Sequence, residues 1–106
     1  MARALINVPA SAKRGEVIEI KTLISHPMEP GYRPNSSGEI QPRDIINLFV
    51  CTYNGEEIFR ADLSPAIAAN PFLSFSTVAV ASGKLEFKWT GDNGFSETAV
   101  AAITVE

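Results

Sequence analysis

The sequence is poor in the residues that do chemistry. Its 106 residues include one cysteine, Cys51, and one histidine, His26. A lone cysteine cannot close an internal disulfide, so the fold must hold by packing and hydrogen bonding, and the redox compartment stays open. One His and one Cys cannot supply the several imidazole or thiolate ligands of a soft-metal site, so no metal and no cofactor is expected. The sequence has no phosphate-cradling loop, no dinucleotide fingerprint and no Gly-x-Ser-x-Gly elbow, which removes the commonest nucleotide and hydrolase chemistries. No apolar run approaches the roughly 20 residues that cross a bilayer. Met1-Ala2-Arg3-Ala4-Leu5-Ile6-Asn7 offers no long apolar stretch of the kind a secretory signal contains. Nine Lys and Arg against 12 Asp and Glu give a net charge of −3. The cations are scattered, so no basic stripe marks a nucleic-acid or anionic-membrane surface. Neighbouring carboxylates such as Glu56-Glu57 fall beside a turn on a strand and point to opposite faces, poorly placed to share one substrate. No catalytic residue is expected.

A hydrophobic fraction of 45% with 20% charged residues fits one folded domain over residues 1–106. The stretch Leu48–Phe59 organises it. Two β-prone runs flank Asn54-Gly55, the pattern of a two-residue hairpin with a type I′ turn, which needs φ > 0 at both central residues. With that loop, Tyr53 faces Glu56, Cys51 faces Ile58 and Val50 faces Phe59. One face then carries Ile45, Phe49, Cys51, Tyr53 and Ile58, and the other Ile46, Leu48, Val50, Phe59, Ala61 and Leu63. Both faces are apolar. One face is therefore expected to be covered by something besides this chain's own core, and Leu48, Val50 and Phe59 lie either under a second sheet or on an outer face buried by another subunit.

Strands are read at Arg3–Val8, Glu16–Ile24, Asp44–Tyr53, Glu57–Leu63, Phe72–Val80, Lys84–Trp89 and Phe95–Val105. The alternation is cleanest where Ile18, Ile20 and Ile24 oppose Glu19 and Lys21, and where Leu85, Phe87 and Trp89 oppose Lys84, Glu86 and Lys88. Trp89 is expected in the core against those isoleucines. Ser64–Pro71 reads as a helical turn or a crossover between sheets. Seven strands without a long helix imply an all-β, immunoglobulin-like antiparallel β-sandwich.

His26–Pro42 holds Pro27, Pro30, Gly31, Pro34, Gly38 and Pro42 and reads as a long loop. One reading is a solvated connector with rigid turns. The other is a recognition loop in which Met28 and Tyr32 bury area at an interface while His26 and Arg33 hydrogen-bond. Cys51 with His26 is the one conceivable nucleophile–base pair. A mid-strand cysteine is more simply a small buried hydrophobe, since reactive thiols need an exposed, electropositive setting.

Four segments carry a family resemblance: Ser25-His26-Pro27-Met28-Glu29, Cys51-Thr52-Tyr53-Asn54-Gly55-Glu56-Glu57, Pro65-Ala66-Ile67-Ala68-Ala69-Asn70-Pro71 and Trp89-Thr90-Gly91-Asp92-Asn93-Gly94. Together they resemble SoxZ, the Z subunit of the SoxYZ carrier of the sulfur-oxidising Sox system. The resemblance implies an immunoglobulin-like sandwich that is not an enzyme. It also implies a heterodimer with SoxY, whose C-terminal cysteine arm carries the sulfur intermediate of thiosulfate oxidation and visits other Sox enzymes. The chain ends Ala-Ala-Ile-Thr-Val-Glu without a Gly-Gly-Cys tail, so it resembles Z and not Y, and Cys51 is not the carrier thiol. The family works in the periplasm, exported with its signal-bearing partner. The partner interface is expected on His26, Met28, Tyr32, Arg33, Leu48, Val50 and Phe59. A generic immunoglobulin-like scaffold with another partner is the competing reading.

Overall fold

The computed structural model describes residues 3–106. Eight strands form among the described residues: β1 (Ala4–Asn7), β2 (Ser11–Ala12), β3 (Val17–Ile24), β4 (Ile46–Tyr53), β5 (Glu56–Asp62), β6 (Phe72–Val78), β7 (Gly83–Gly91) and β8 (Ser96–Val105). They make an immunoglobulin-like β-sandwich of a three-stranded sheet, β1-β3-β6, and a five-stranded sheet, β2-β8-β7-β4-β5. The pairings are antiparallel apart from the two-residue β2, which joins β8 in parallel and raises the expected seven strands to eight.

Alternation decides what is inside. Along β3, Ile18, Ile20, Thr22 and Ile24 are buried and the residues between them exposed. Along β7, Leu85, Phe87 and Trp89 are buried while Lys84, Glu86 and Lys88 stay in water. The core centres on aromatic rings: Phe49 lies 5.1 Å from Trp89 and 6.3 Å from Phe87 between ring centroids. Phe75 of the opposite sheet is 6.1 Å from Phe49 and stacks on Phe59 at 4.3 Å with 4° between the planes.

The β4–β5 hairpin has the expected turn, with Asn54 at φ 50 and Gly55 at φ 84, and Tyr53 does face Glu56. Beyond Thr52 the register slips by a β-bulge, so that Cys51 pairs with Phe59, Val50 with Arg60 and Phe49 with Ala61. The expected facing of Cys51 with Ile58, and of Val50 with Phe59, is therefore wrong. A bulge places one extra residue on one strand, and every residue beyond it changes face. Phe59 and Ala61 consequently pack on the core, and Arg60 and Asp62 take the outer positions beside Val50 and Leu48.

A second irregularity, between Ile46 and Leu48, turns Ile46 inward, so Ile45 and Ile46 are both buried. Gly91 makes this possible. A Cβ there would stand 2.3 Å from the Ile45 carbonyl oxygen and 2.8 Å from Ile46 Cα, far inside contact distance.

The 26–42 stretch is more ordered than its composition suggests. Residues 31–42 form a narrow hairpin-like finger, closed by an isolated bridge between Pro34 and Ile40. The Gln41 N–H donates to Arg33 O at 2.9 Å, and the Asn35 N–H donates to Glu39 O at 2.7 Å. The Asn35 side chain caps the tip by accepting from Ser37 and Glu39 amides. Ser64–Pro71 is the crossover between sheets, opening with a turn in which the Ile67 amide donates to Ser64 O.

The inward placement of Phe59 makes a prediction. Phe59→Ala should lower the unfolding free energy by about 2–3 kcal/mol, below the roughly 3–5 kcal/mol of a fully buried aromatic because the ring is only half-buried. Val50→Ala, on the wet face, should cost well under half of that. Urea denaturation of both variants checks it, and equal losses would return Phe59 to the surface.

Candidate functional site

The outer face of the five-stranded sheet carries a shallow apolar groove of about 460 Å³. Its floor follows from the ladder. Leu48 stands opposite Thr90, Val50 opposite Lys88 and Thr52 opposite Glu86, and on the next strand Lys88 faces Thr98 and Glu86 faces Val100. Leu48, Val50 and Val100 supply the apolar surface, with Val100 56% exposed. Lys88, Glu86 and three threonines surround them, and on β5 the ladder sets Arg60 beside Val50 and Asp62 beside Leu48. Arg60 is held by Glu57, with Nη2 to Oε1 at 2.9 Å. That bond keeps the Glu57 carboxyl below the usual carboxylate range.

Of the seven residues expected at an interface, Leu48 and Val50 share this groove, and Phe59 lies on the opposite side of the same sheet. Tyr32 is 72% exposed on the finger. Arg33 sits at the finger's base, where its guanidinium binds the Glu29 carboxylate at 2.5 Å and holds that carboxyl below its ordinary range. His26 and Met28 are inside the protein at 5% and 3% exposure, which removes them from any contact surface in this conformation. Val100, Lys88, Glu86 and Thr98 were missed by the sequence reading. The available signal was the polar half of the β7 alternation, which faces outward in the same rows as Leu48 and Val50.

His26 is a structural hub. Its Nδ1 accepts the Met28 amide at 2.9 Å, so a neutral ring carries its proton on Nε2, 3.8 Å from Asp44 Oδ1. Its amide donates to Asn70 Oδ1 at 2.9 Å, its carbonyl accepts the Asn70 amide at 2.8 Å, and its ring edge meets Phe95 at 4.8 Å. This turn puts Met28 at φ 52, a left-handed conformation uncommon for a long side chain. Met28 Sδ in return accepts the Ile46 amide at 3.2 Å. Next to it, Asp92 accepts two bonds from Arg43 at 2.8 Å each and one from the Ile45 amide at 3.1 Å. The Arg43 bonds first, then the Ile45 amide, hold the Asp92 carboxyl below its ordinary range.

Cys51 has none of this company. It is wholly buried, its Sγ lies 3.9 Å from Thr52 O, and burial pushes the thiol up to about 12. His26 spends its polar atoms on Met28, Asn70 and Asp44, so the two do not form a nucleophile–base pair. Among the described residues no three His, Cys, Asp or Glu side chains gather as metal ligands.

Fold and site together define an immunoglobulin-like β-sandwich domain with an apolar groove on the outer face of its larger sheet. Residues 6–102 match the family model described as sulphur oxidation protein SoxZ, and the chain belongs to that family, a component of the sulfur-oxidising Sox system. No curated relative matches the sequence. Among solved structures the chain is similar to superoxide reductase (neelaredoxin) from Ignicoccus hospitalis, with 15% identity, a TM-score of 0.71, and 97% of this chain and 80% of that one covered. It is also similar to the sulfur carrier protein SoxY from Chlorobium limicola f thiosulfatophilum, with 15% identity, a TM-score of 0.66, and 97% and 78% covered. At such identities the likeness is one of fold.

Two outcomes follow. A folded-state carboxyl held down by partners contributes stability above its unfolded value and loses it as pH falls through the folded one. Asp92→Asn should therefore be less stable than the parent at neutral pH, and the gap should close as pH drops below 3.8, the ordinary Asp value. Urea denaturation from pH 7 to about pH 2 reads this, and a gap independent of pH would refute the ion pair's role. For Cys51, iodoacetamide labelling of the native protein should proceed only at the rate of unfolding, and should accelerate by orders of magnitude in denaturant.

Proposed function

We propose that this chain is a non-catalytic subunit of a SoxYZ-type carrier, binding a SoxY-type protein across the outer face of its five-stranded sheet. The partner's cysteine arm carries the sulfur species of thiosulfate oxidation and delivers it to other Sox enzymes. This chain supplies the scaffold that holds the carrier. The complex works in the periplasm, exported with the signal-bearing partner.

The observation that carries this reading is the apolar band Leu48–Val50–Val100 in the middle of a sheet face that is otherwise threonine and charge. Antiparallel sheets put one face on the core and leave the other polar; here the wet face is polar except at that band. Completing the burial of such side chains contributes roughly 1 kcal/mol or more each, and the ring of Lys88, Glu86 and Arg60 gives the polar rim of a specific interface. Membership of the SoxZ family supports a carrier-type partner. The buried, unionised Cys51 leaves transfer of sulfur to the partner's own thiol. Tyr32 stands exposed on the finger, where it is available to a bound partner or a visiting enzyme.

Val50→Asp should leave the isolated fold intact and weaken capture of a SoxY-type partner by about 30-fold, the size expected for a charge placed in the apolar centre of an interface. Capture of the partner at unchanged affinity by a folded Val50→Asp variant would refute the assignment of this face. Thiosulfate turnover in a reconstituted Sox system, with and without the chain, separates this function from that of a generic scaffold.

A further inference from the structure

The three-stranded sheet has an unguarded edge. Open strand edges invite pairing and are normally blunted by shortness, charge, proline or a bulge. Three of the four edges here are blunted in this way. β2 has two residues, β1 has four between Arg3 and Pro9, and β5 carries Glu56, Glu57, Arg60, Asp62 and the bulge. β6 differs. It runs Phe-Leu-Ser-Phe-Ser-Thr-Val over seven residues without charge or proline, in unbroken register with β3.

We propose that β6 pairs antiparallel with β6 of a second copy of this chain, about a two-fold axis at Phe75, making one continuous sheet from two three-stranded ones.

The backbone is arranged for it. The Ile24 amide donates to Pro71 O, and Ala79 exchanges bonds with Gly15 and Glu16, so the odd-numbered residues of this strand bond inward to β3. Phe72, Ser74, Ser76 and Val78 therefore turn their N–H and C=O groups to the open edge. In the two-fold register Ser74 opposes Ser76 of the second copy and Phe72 opposes Val78. Each is a pair of outward-bonding residues, so both members can exchange their two hydrogen bonds.

The side chains agree with that register. On the outer face, Leu5, Leu23 and Phe72 form one cross-strand row, at 53%, 37% and 59% exposure, and Val17 pairs with Val78 in another. Two-fold pairing merges them: Leu5, Leu23 and Phe72 continue into Val78 and Val17 of the second copy. The polar rows merge likewise, with Asn7, Lys21 and Ser74 continuing into Ser76 and Glu19 of the second copy. Lys21 and Glu19 thus share a row across the axis, so no like charges oppose. On the inner face the two Phe75 rings meet at the axis as a non-hydrogen-bonded pair, where side chains approach most closely. They cover the half-exposed Phe59–Phe75 stacks that line the open side of each sandwich. A second copy is the occupant these rows fit, because its edge sets apolar row on apolar row, polar row on polar row and Lys21 in line with Glu19. The pairing leaves the groove of the five-stranded sheet free, so it does not depend on which partner binds there.

Sedimentation equilibrium of the full chain tests this with three variants. Ser76→Pro removes an outward amide without touching the β3 ladder, and should raise the dimer dissociation constant at least about tenfold with unchanged circular dichroism. Ser74→Lys/Ser76→Lys and Ser74→Glu/Ser76→Glu should each be monomeric, and their equimolar mixture should restore the dimer, which decides the matter even if the proline variant fails to fold. A monomeric parent chain, a proline variant as dimeric as the parent, or a mixture that stays monomeric overturns the proposal. So does loss of a SoxY-type partner on Ser76→Pro, which would assign the edge to that protein.

Discussion

Everything else in this domain depends on how Phe49 is surrounded. With no disulfide to tie the sheets, their attachment rests on apolar contact, and Phe49 touches Phe59, Phe87 and Trp89 within its own sheet and Phe75 across the interior. A core aromatic buries on the order of 150–250 Å², and ring pairs add roughly 0.5–1.5 kcal/mol beyond the area term. Phe59 reaches this cluster only because the hairpin contains one extra residue. Without the bulge its ring would point to water and Phe75 would lose the face on which it stacks. The same inserted residue sets the surface: it exchanges Phe59 for Arg60 on the outer face, narrowing a broad greasy patch to a short band with a charged border. Core packing and the composition of the outer face are thus set by one backbone irregularity.

The parts of the fold that were legible in the sequence are those governed by local rules. Asn54-Gly55 specifies its own turn, and the alternation in β3 and β7 specifies which side chains are buried, because period and burial are tied along a single strand. The bulge was not legible. Extrapolating a two-residue period outward from the turn assumes that both strands advance together, and nothing in Ile58-Phe59-Arg60 announces that they do not. Ile46 was misplaced for a related reason, since its inward turn requires the missing side chain at Gly91, 45 residues further on. The 26–42 stretch looked irregular because Pro and Gly mask ordering that is carried by backbone hydrogen bonds. His26 and Met28 looked like surface residues because a proline stands between them. They are buried because Asn70, Phe95 and Ile46, all distant in sequence, close over them. At the candidate site, Leu48 and Val50 were visible as excess apolarity, while Val100 needed the strand order before it could be joined to them.

The segments that mark the chain as a SoxZ-family member do mostly architectural work. Ser25–Glu29 and Pro65–Pro71 are tied to each other through the His26–Asn70 pair of hydrogen bonds, and Trp89–Gly94 holds the start of β4 through Asp92 and the close approach at Gly91. Cys51–Glu57 is the hairpin turn and leads into its bulge at Ile58. These residues dictate backbone paths, for which few side chains will serve. The surfaces open to partners are of a different kind. In the proposed interface Leu48, Val50 and Val100 would act through their side chains, so single substitutions would retune that face without disturbing the scaffold. The proposed β6 pairing would act through the backbone, which no ordinary substitution removes, so proline or charge is what would silence it. On these two proposals the domain could change what it binds on its face while keeping the association of its edge, because one is set by side chains and the other by backbone.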